Sequence, residues 1–173
     1  MPTEHSDPTG DEGGPVIVVG YDGSSAAAAA VERGIDRVQA GGRLVVVHAW
    51  RPPAVLLGSE LYVMVATACC AAAEGLLERL AREHPRLDDV QFESRLIEGT
   101  AYTTLAEVAA AEHANEVIVG TRGAGRLHAM LGGTAIGLLH HAECPVTFIP
   151  QRTVDQGGTS LKHDERAAGP VEP

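Results

Sequence analysis

The stretch Val16-Ile17-Val18-Val19-Gly20-Tyr21-Asp22-Gly23-Ser24 opens with four consecutive β-branched residues and closes on a glycine, an acidic residue and a serine. An apolar run without polar alternation suits a strand covered on both faces, which is the environment of a parallel sheet. Ser24 or Ser25 can then cap a helix that runs to about Gln39, where Gly41-Gly42 stops it. A buried strand that feeds a capped helix is the first half of a βαβ unit.

The same grammar repeats along the chain. Leu44-Val45-Val46-Val47 reads as a second buried strand, and Pro52-Pro53 breaks the regular structure after it. A long Ala- and Leu-rich helix is expected from about Glu60 to His84, with Pro85 just past its end. Residues 90–97 read as a third strand, and the mixture of Phe92, Glu93 and Arg95 marks it as an exposed edge. Ala101 to His113 reads as a helix and Val117-Ile118-Val119 as a fourth strand, again with a glycine directly after it. Thr134 to His141 reads as a helix, and Val146-Thr147-Phe148-Ile149 as a fifth strand after Pro145. This alternation predicts an α/β fold with a doubly wound parallel sheet of five strands, right-handed crossovers placing helices on both faces. Residues 1–14 and 151–173 are polar, rich in Gly and Pro, and without apolar periodicity. They are expected to be disordered tails around one folded unit, residues 15–150.

Composition narrows the function. Hydrophobic residues are 45% of the 173, enough for a core, but aromatics are only 3%. The core must come from Val, Leu, Ile and Ala, and a flat ligand must rest on aliphatic side chains and backbone. A net charge of -10 argues against nucleic acid or an anionic membrane, both held by Lys/Arg fields. It leaves room for a small phosphorylated ligand, because backbone N–H groups bind phosphate inside acidic proteins. Cys69, Cys70 and Cys144 are an odd set with one adjacent pair, which reads as reduced thiols rather than a disulfide framework. The first residues lack a leader pattern, and no apolar run reaches the roughly 18 residues of a membrane span. A cytoplasmic protein with no membrane attachment is expected.

Ligands of such sheets bind at the C-terminal ends of the strands, where strand order reverses. After Val119 the chain reads Gly120-Thr121-Arg122-Gly123-Ala124-Gly125-Arg126, then Leu127 to Leu131, then Gly132-Gly133-Thr134, so that five glycines fall in fourteen residues. Glycine lets backbone N–H groups approach an anion closely. Gly133-Thr134 opens a helix, where free N–H groups and the dipole favour phosphate. The Thr134 hydroxyl adds a donor, and Arg122, Arg126 and His128 lie in the same stretch. A loop whose glycines only satisfy turns is the competing reading. At the end of the first strand, Asp22 either accepts ribose hydroxyls or holds a metal, or it caps the helix after it.

Other site types fail on spacing. The chain has no G-x-x-x-x-G-K-[ST], no dinucleotide fingerprint continuing from Gly123-Ala124-Gly125, and no G-x-S-x-G elbow. A phosphatase nucleophile loop would need an aspartate where Gly20 stands. His140 and His141 are adjacent and point to different helix faces, a poor metal pair. His48 reads as a packed histidine at a strand end, and no metal site is expected apart from Asp22.

Gly120-x2-Gly123-x9-Gly133-Thr134 resembles the full G-x2-G-x9-G-[S/T] pattern of the ATP-binding universal stress proteins. Val18-Val19-Gly20-Tyr21-Asp22-Gly23-Ser24, Val47-His48-Ala49 and His141-Ala142-Glu143-Cys144-Pro145-Val146 are similar to that family as well, so the resemblance spans residues 15–150. It implies strand order 3-2-1-4-5 and an adenine nucleotide lying over the ends of strands 1, 2 and 4. It implies that Asp22, flanked by Gly20 and Tyr21, meets the nucleoside and that the backbone at Ala49 meets adenine. Gly120, Gly123, Gly133, Thr134 and Ala135 would line ribose and phosphates, with Arg122 and Arg126 offsetting charge. It further implies a homodimer through Val146–Ile149. One departure is Gly99-Thr100-Ala101, where the family often carries Gly-x-Pro; proline there helps start a helix but is replaceable. The resemblance thus implies a cytoplasmic, ATP-binding stress-response module whose occupancy modulates contact with an unidentified protein partner, with Mg or Mn as the metal to accompany ATP. An enzyme is not expected, because no water-positioning base is visible. The alternatives are a slow ATPase, a cyclic-AMP binder, or an interaction module that takes no nucleotide.

Overall fold

A computed structural model describes residues 14–39, 41–52, 59–121 and 132–150. The strands are β1 (Val16–Gly20), β2 (Arg43–Trp50), β3 (Gln91–Glu98), β4 (Glu116–Gly120) and β5 (Val146–Ile149). The helices are α1 (Ser25–Val38), α2 (Ser59–Glu83), α3 (Ala101–Ala111) and α4 (Gly133–His141), with a 3-10 turn over Pro85–Asp89. All strand pairs are parallel and the order is β3-β2-β1-β4-β5, the order expected. Of the predicted tails, 1–14 and 151–173, all but Gly14 lie outside the described residues.

Alternation along each strand divides the core into two layers. Ile17, Val19, Leu44, Val46 and Ile118 pack with Ala27, Ala30, Val31 and Ile35 of α1 and Leu80 of α2. Val18, Val45, Val47, Val117 and Val119 pack with Leu105, Val108 and Ala109 of α3 and Leu138 of α4. This is why the strands read as unbroken apolar runs: each face meets a helix layer. The small residues of α1 set the distance to the sheet. A Cβ on Gly34 would stand 2.7 Å from Leu44 Cδ1 and 2.9 Å from Val19 Cγ2, so a side chain there would push on both.

α1 begins as the sequence predicts. The Ser24 hydroxyl accepts the Ala27 N–H at 3.1 Å, and Gly41, at φ +98°, ends the helix region by donating to the Val38 carbonyl. β2 runs three residues past the predicted Val47, because β3 pairs with it from Arg43↔Gln91 to Trp50↔Glu98. Tertiary pairing, not local composition, sets that end. α3 stops at Ala111 rather than His113: His113 adopts φ 49°, and Ala114 donates back to the Ala109 carbonyl at 2.8 Å, closing the helix.

α2 departs from the expectation that no stretch reaches span length. Its stretch Glu60–Glu83 is long and apolar enough, by length and composition alone, to cross a membrane. Its C-terminal half carries Glu74, Glu78, Arg79 and Arg82 and sets Leu76, Leu77 and Leu80 against the core. Its first turns leave Leu61, Tyr62, Val63 and Met64 exposed.

Carboxylates are tied to cations both within and between elements. Glu32 meets His84 Nδ1 at 2.6 Å and Arg86 at 2.8 Å, Glu112 meets Arg43 and Arg95, and Glu93 meets Arg95 at 2.7 Å. The hydrogen bond from His84 holds Glu32 below the usual carboxylate range, that from Arg43 does so for Glu112, and that from Arg95 for Glu93. A carboxylate whose folded pKa is depressed contributes stability that is present above its unfolded value and lost as pH falls through the folded one. The melting temperature should therefore hold near neutrality and fall once pH drops below the ordinary value of 4.5. Glu112→Gln should lower the neutral plateau slightly and shallow the acid limb; an acid limb unchanged by that substitution would contradict the linkage.

Candidate functional site

The C-terminal ends of β1, β2 and β4 open into one cleft of about 460 Å³, part of it continuous with solvent. β1 and the residues after it supply Gly20, Tyr21 and Asp22; β2 supplies Val47, His48 and Ala49; β4 supplies Val119 and Gly120. Ala101 and Leu105 of α3 and Thr134 of α4 complete the lining. The cleft forms because β1, at the centre of the sheet, sends its helix to one face while β4, its neighbour, leads to the other, leaving a gap where strand order reverses.

Backbone geometry at the end of β1 is tightly held. The Tyr21 N–H donates to the Val47 carbonyl at 2.9 Å, and His48 Nδ1 lies 2.7 Å from the Tyr21 carbonyl oxygen. The Tyr21 phenol donates to Glu83 at 3.2 Å, and its ring meets His84 edge-on at 6.3 Å. Burial, then the nearby Glu83 carboxylate, push the phenol pKa up, so it stays a donor. Asp22 accepts the Ser24 N–H on Oδ1 at 3.0 Å, so this carboxylate also braces the turn that leads into α1. Gly23 takes φ +78°, which turns the chain sharply at that point.

The opposite wall is the start of α4. Its cap is Gly132, so the first N–H groups of the helix have no capping side chain among the described residues. The Gly132 N–H donates to the Thr121 carbonyl at 2.8 Å and the Thr121 N–H to the Ile149 carbonyl at 2.8 Å, which ties the start of α4 to the end of β4 and that end to β5. Arg122, Gly123 and Arg126 lie outside the described residues.

The described glycines of the motif are glycine for different reasons. A Cβ on Gly120 would stand 2.8 Å from the Ala26 Cβ, so α1 forbids a side chain there. A Cβ on Gly133 would meet nothing within 4 Å among the described residues. Gly20 is crowded by Leu105 at 2.9 Å.

The structure therefore gathers Gly20, Tyr21, Asp22, Ala49, Gly120 and Thr134 around one cleft, with Gly133 beside Thr134. Ala135 is 1% exposed in the first turn of α4, so its methyl group packs inward and only its backbone can serve a ligand. Val47, His48, Ala101, Leu105 and Val119 also line the cleft and were not singled out as binding residues. For His48 the available signal was its place at the end of a buried strand. Among the described residues no cluster of three His, Cys, Asp or Glu side chains is arranged to hold a metal ion.

Known proteins resemble this chain in sequence and in fold. The model of the universal stress protein family matches residues 15–150. The Thermus aquaticus universal stress protein of the QAH/OAS sulfhydrylase 3' region is 30% identical over 142 residues, which is 77% of this chain and 96% of its own. Universal stress protein UspA from Lactobacillus plantarum shares the fold with a TM-score of 0.69 at 19% identity, covering 80% of this chain and 99% of its own. A universal stress protein solved in complex with cAMP gives a TM-score of 0.59 at 20% identity, covering 80% of this chain and 98% of its own.

Proposed function

The chain belongs to the universal stress protein family, and on that premise we propose that its cleft binds an adenine nucleotide, ATP before others, and that occupancy alters how the protein meets a partner in the cytoplasm. The observation that supports this reading most is the juxtaposition of Asp22 and the start of α4 across one cleft, with no described atom within 4 Å of a Cβ at Gly133. Asp22 stands where ribose hydroxyls are met in such sheets. The N–H groups of Gly133, Thr134 and Ala135 stand where a polyphosphate is met. The aliphatic walls, Val47, Val119 and Leu105, suit a flat base in a chain with few aromatic residues. A Mg or Mn ion accompanying the triphosphate would draw on Asp22, the carboxylate among the described lining residues.

Cyclic AMP is the second reading, because a solved family member of the same fold holds cAMP. The two differ in how much anion they present. ATP carries a chain of phosphates that can reach toward the start of α4, whereas the cyclic phosphate is folded back on its ribose. Isothermal titration of the full chain with ATP and with cAMP separates them. Micromolar or tighter binding of ATP, with cAMP weaker, is the expected result, and no heat at millimolar ATP would remove the ATP reading. The same samples in light scattering should give twice the chain mass. β5 is an edge strand that pairs with β4 alone among the described residues, and α4 beside it exposes Ile136 and Leu139 at 49% and 61%. Such an edge invites a second copy, and a monomer mass would set the homodimer aside.

A further inference from the structure

We infer that His48 is a positioning residue for the nucleoside end of the cleft: its ring fixes the Tyr21–Asp22 peptide and so sets where the Asp22 carboxylate stands. The inference rests on the adenine-nucleotide reading above.

His48 Nδ1 lies 2.7 Å from the Tyr21 carbonyl oxygen. A carbonyl oxygen only accepts, so the hydrogen sits on Nδ1. That assignment holds whether the ring is neutral or charged, because the charged ring keeps its Nδ1 hydrogen.

The place of this bond gives it consequence. The register of β1 with β2 ends at Gly20↔Val47, and the Tyr21 N–H to Val47 carbonyl bond closes the last rung. That rung fixes the peptide before Tyr21. The peptide after it, which carries the Asp22 nitrogen, is held through its oxygen by the His48 ring. Immediately beyond, Gly23 turns at φ +78° and the Ser24 N–H returns to Asp22 Oδ1 at 3.0 Å. Ser24 is in turn committed to capping α1 through Ala27. Among the contacts of the described residues, Asp22 is held at the start of α1 downstream and through His48 upstream. Without the upstream anchor the Tyr21–Asp22 plane can rotate, and the carboxylate leaves the ribose side of the cleft.

A direct contact between His48 and ligand would use the other nitrogen, and side-chain chemistry separates the two. An asparagine amide nitrogen reaches the place of Nδ1, whereas a glutamine amide reaches the place of Nε2. The experiment is calorimetry on the full chain with ATP, adenosine and inorganic tripolyphosphate, for the native protein and for His48→Ala, His48→Asn and His48→Gln. His48→Ala should weaken ATP and adenosine by the same factor, about tenfold, the worth of one hydrogen bond to a charged group. Tripolyphosphate affinity should not change, which a general loss of structure would not spare. His48→Asn should restore most of the loss and His48→Gln should not. ATP affinity unchanged in His48→Ala would overturn the inference, as would rescue by glutamine alone or a parallel loss of tripolyphosphate binding. A second arm needs no nucleotide: amide spectra of the ligand-free chain should show Asp22, Gly23 and Ser24 shifted in His48→Ala and returned in His48→Asn. Native protein that binds no ATP but passes this arm would sink the nucleotide reading while leaving the positioning contact standing; unshifted amides would sink the contact itself.

Discussion

Gly133→Val should weaken ATP binding by about two orders of magnitude or more while leaving the melting temperature of the ligand-free protein within a degree or two. The two halves of this result have separate causes. A Cβ on Gly133 meets nothing within 4 Å among the described residues, so these leave room for the new side chain. Valine in a first helical turn also costs no more than glycine does. The cost falls on the ligand. Gly133 opens α4, and its cap residue Gly132 offers no side-chain acceptor to the first N–H groups. Two branched methyl groups at that turn would fill the space through which a phosphate approaches those donors. Each hydrogen bond to a charged group is worth about 1.5–3 kcal/mol, so losing two of them corresponds to roughly a hundredfold or more in affinity. Gly133→Ala, with one methyl, should fall between. Native affinity in the valine variant would mean that the phosphates do not pass α4, and a large drop in melting temperature would mean that the space at Gly133 is not free.

The layered fold was legible in the sequence because one physical requirement shaped it. A strand covered on both faces must be apolar at every position, and Val16–Val19, Leu44–Val47 and Val117–Val119 meet that requirement without exception. The helix starts were legible for a similar reason, since a cap is a local matter between residues such as Ser24 and Ala27. Features that depended on distant partners were not legible. The extension of β2 to Trp50 reflects pairing with β3. The contact of His48 with Tyr21 spans 27 positions and exists because the register of β1 and β2 brings the strand ends level. Sequence alone can place a histidine at a strand end; it cannot say which carbonyl lies beside it. The same limit applies to α2, where a stretch with scattered charges reads as an ordinary helix yet exposes Leu61 to Met64 in its first turns.

The glycine motif shows most clearly where spacing ceases to be informative, since spacing treats Gly120 and Gly133 as equivalent. Gly120→Val should behave oppositely to the Gly133 variant, lowering the melting temperature of the ligand-free protein severely. An ideal Cβ at Gly120 stands 2.8 Å from the Ala26 Cβ and 3.3 Å from the Ala26 carbonyl carbon and the Ala27 nitrogen. The last two are backbone atoms of the first turn of α1, and that turn cannot easily retreat. Ser24 caps it, and Ala26 and Ala27 are 1% and 2% exposed against the sheet. Overpacking of this kind costs about 1–3 kcal/mol, occasionally more. The upper end, appropriate when backbone must move, lowers the melting temperature of a domain this size by about 10 °C. Thermal melts tracked by circular dichroism read the effect directly. The cause is tested by a compensating change: in a Gly120→Ala background, Ala26→Gly removes the atom at 2.8 Å and should recover part of the loss. Its effect alone should be destabilising, because glycine weakens a helix by up to about 1 kcal/mol. A positive coupling between the two substitutions identifies α1 as the element that requires glycine at the end of β4. Simple additivity would instead leave the ligand as the reason for glycine there, and would place Gly120 beside Gly133 after all.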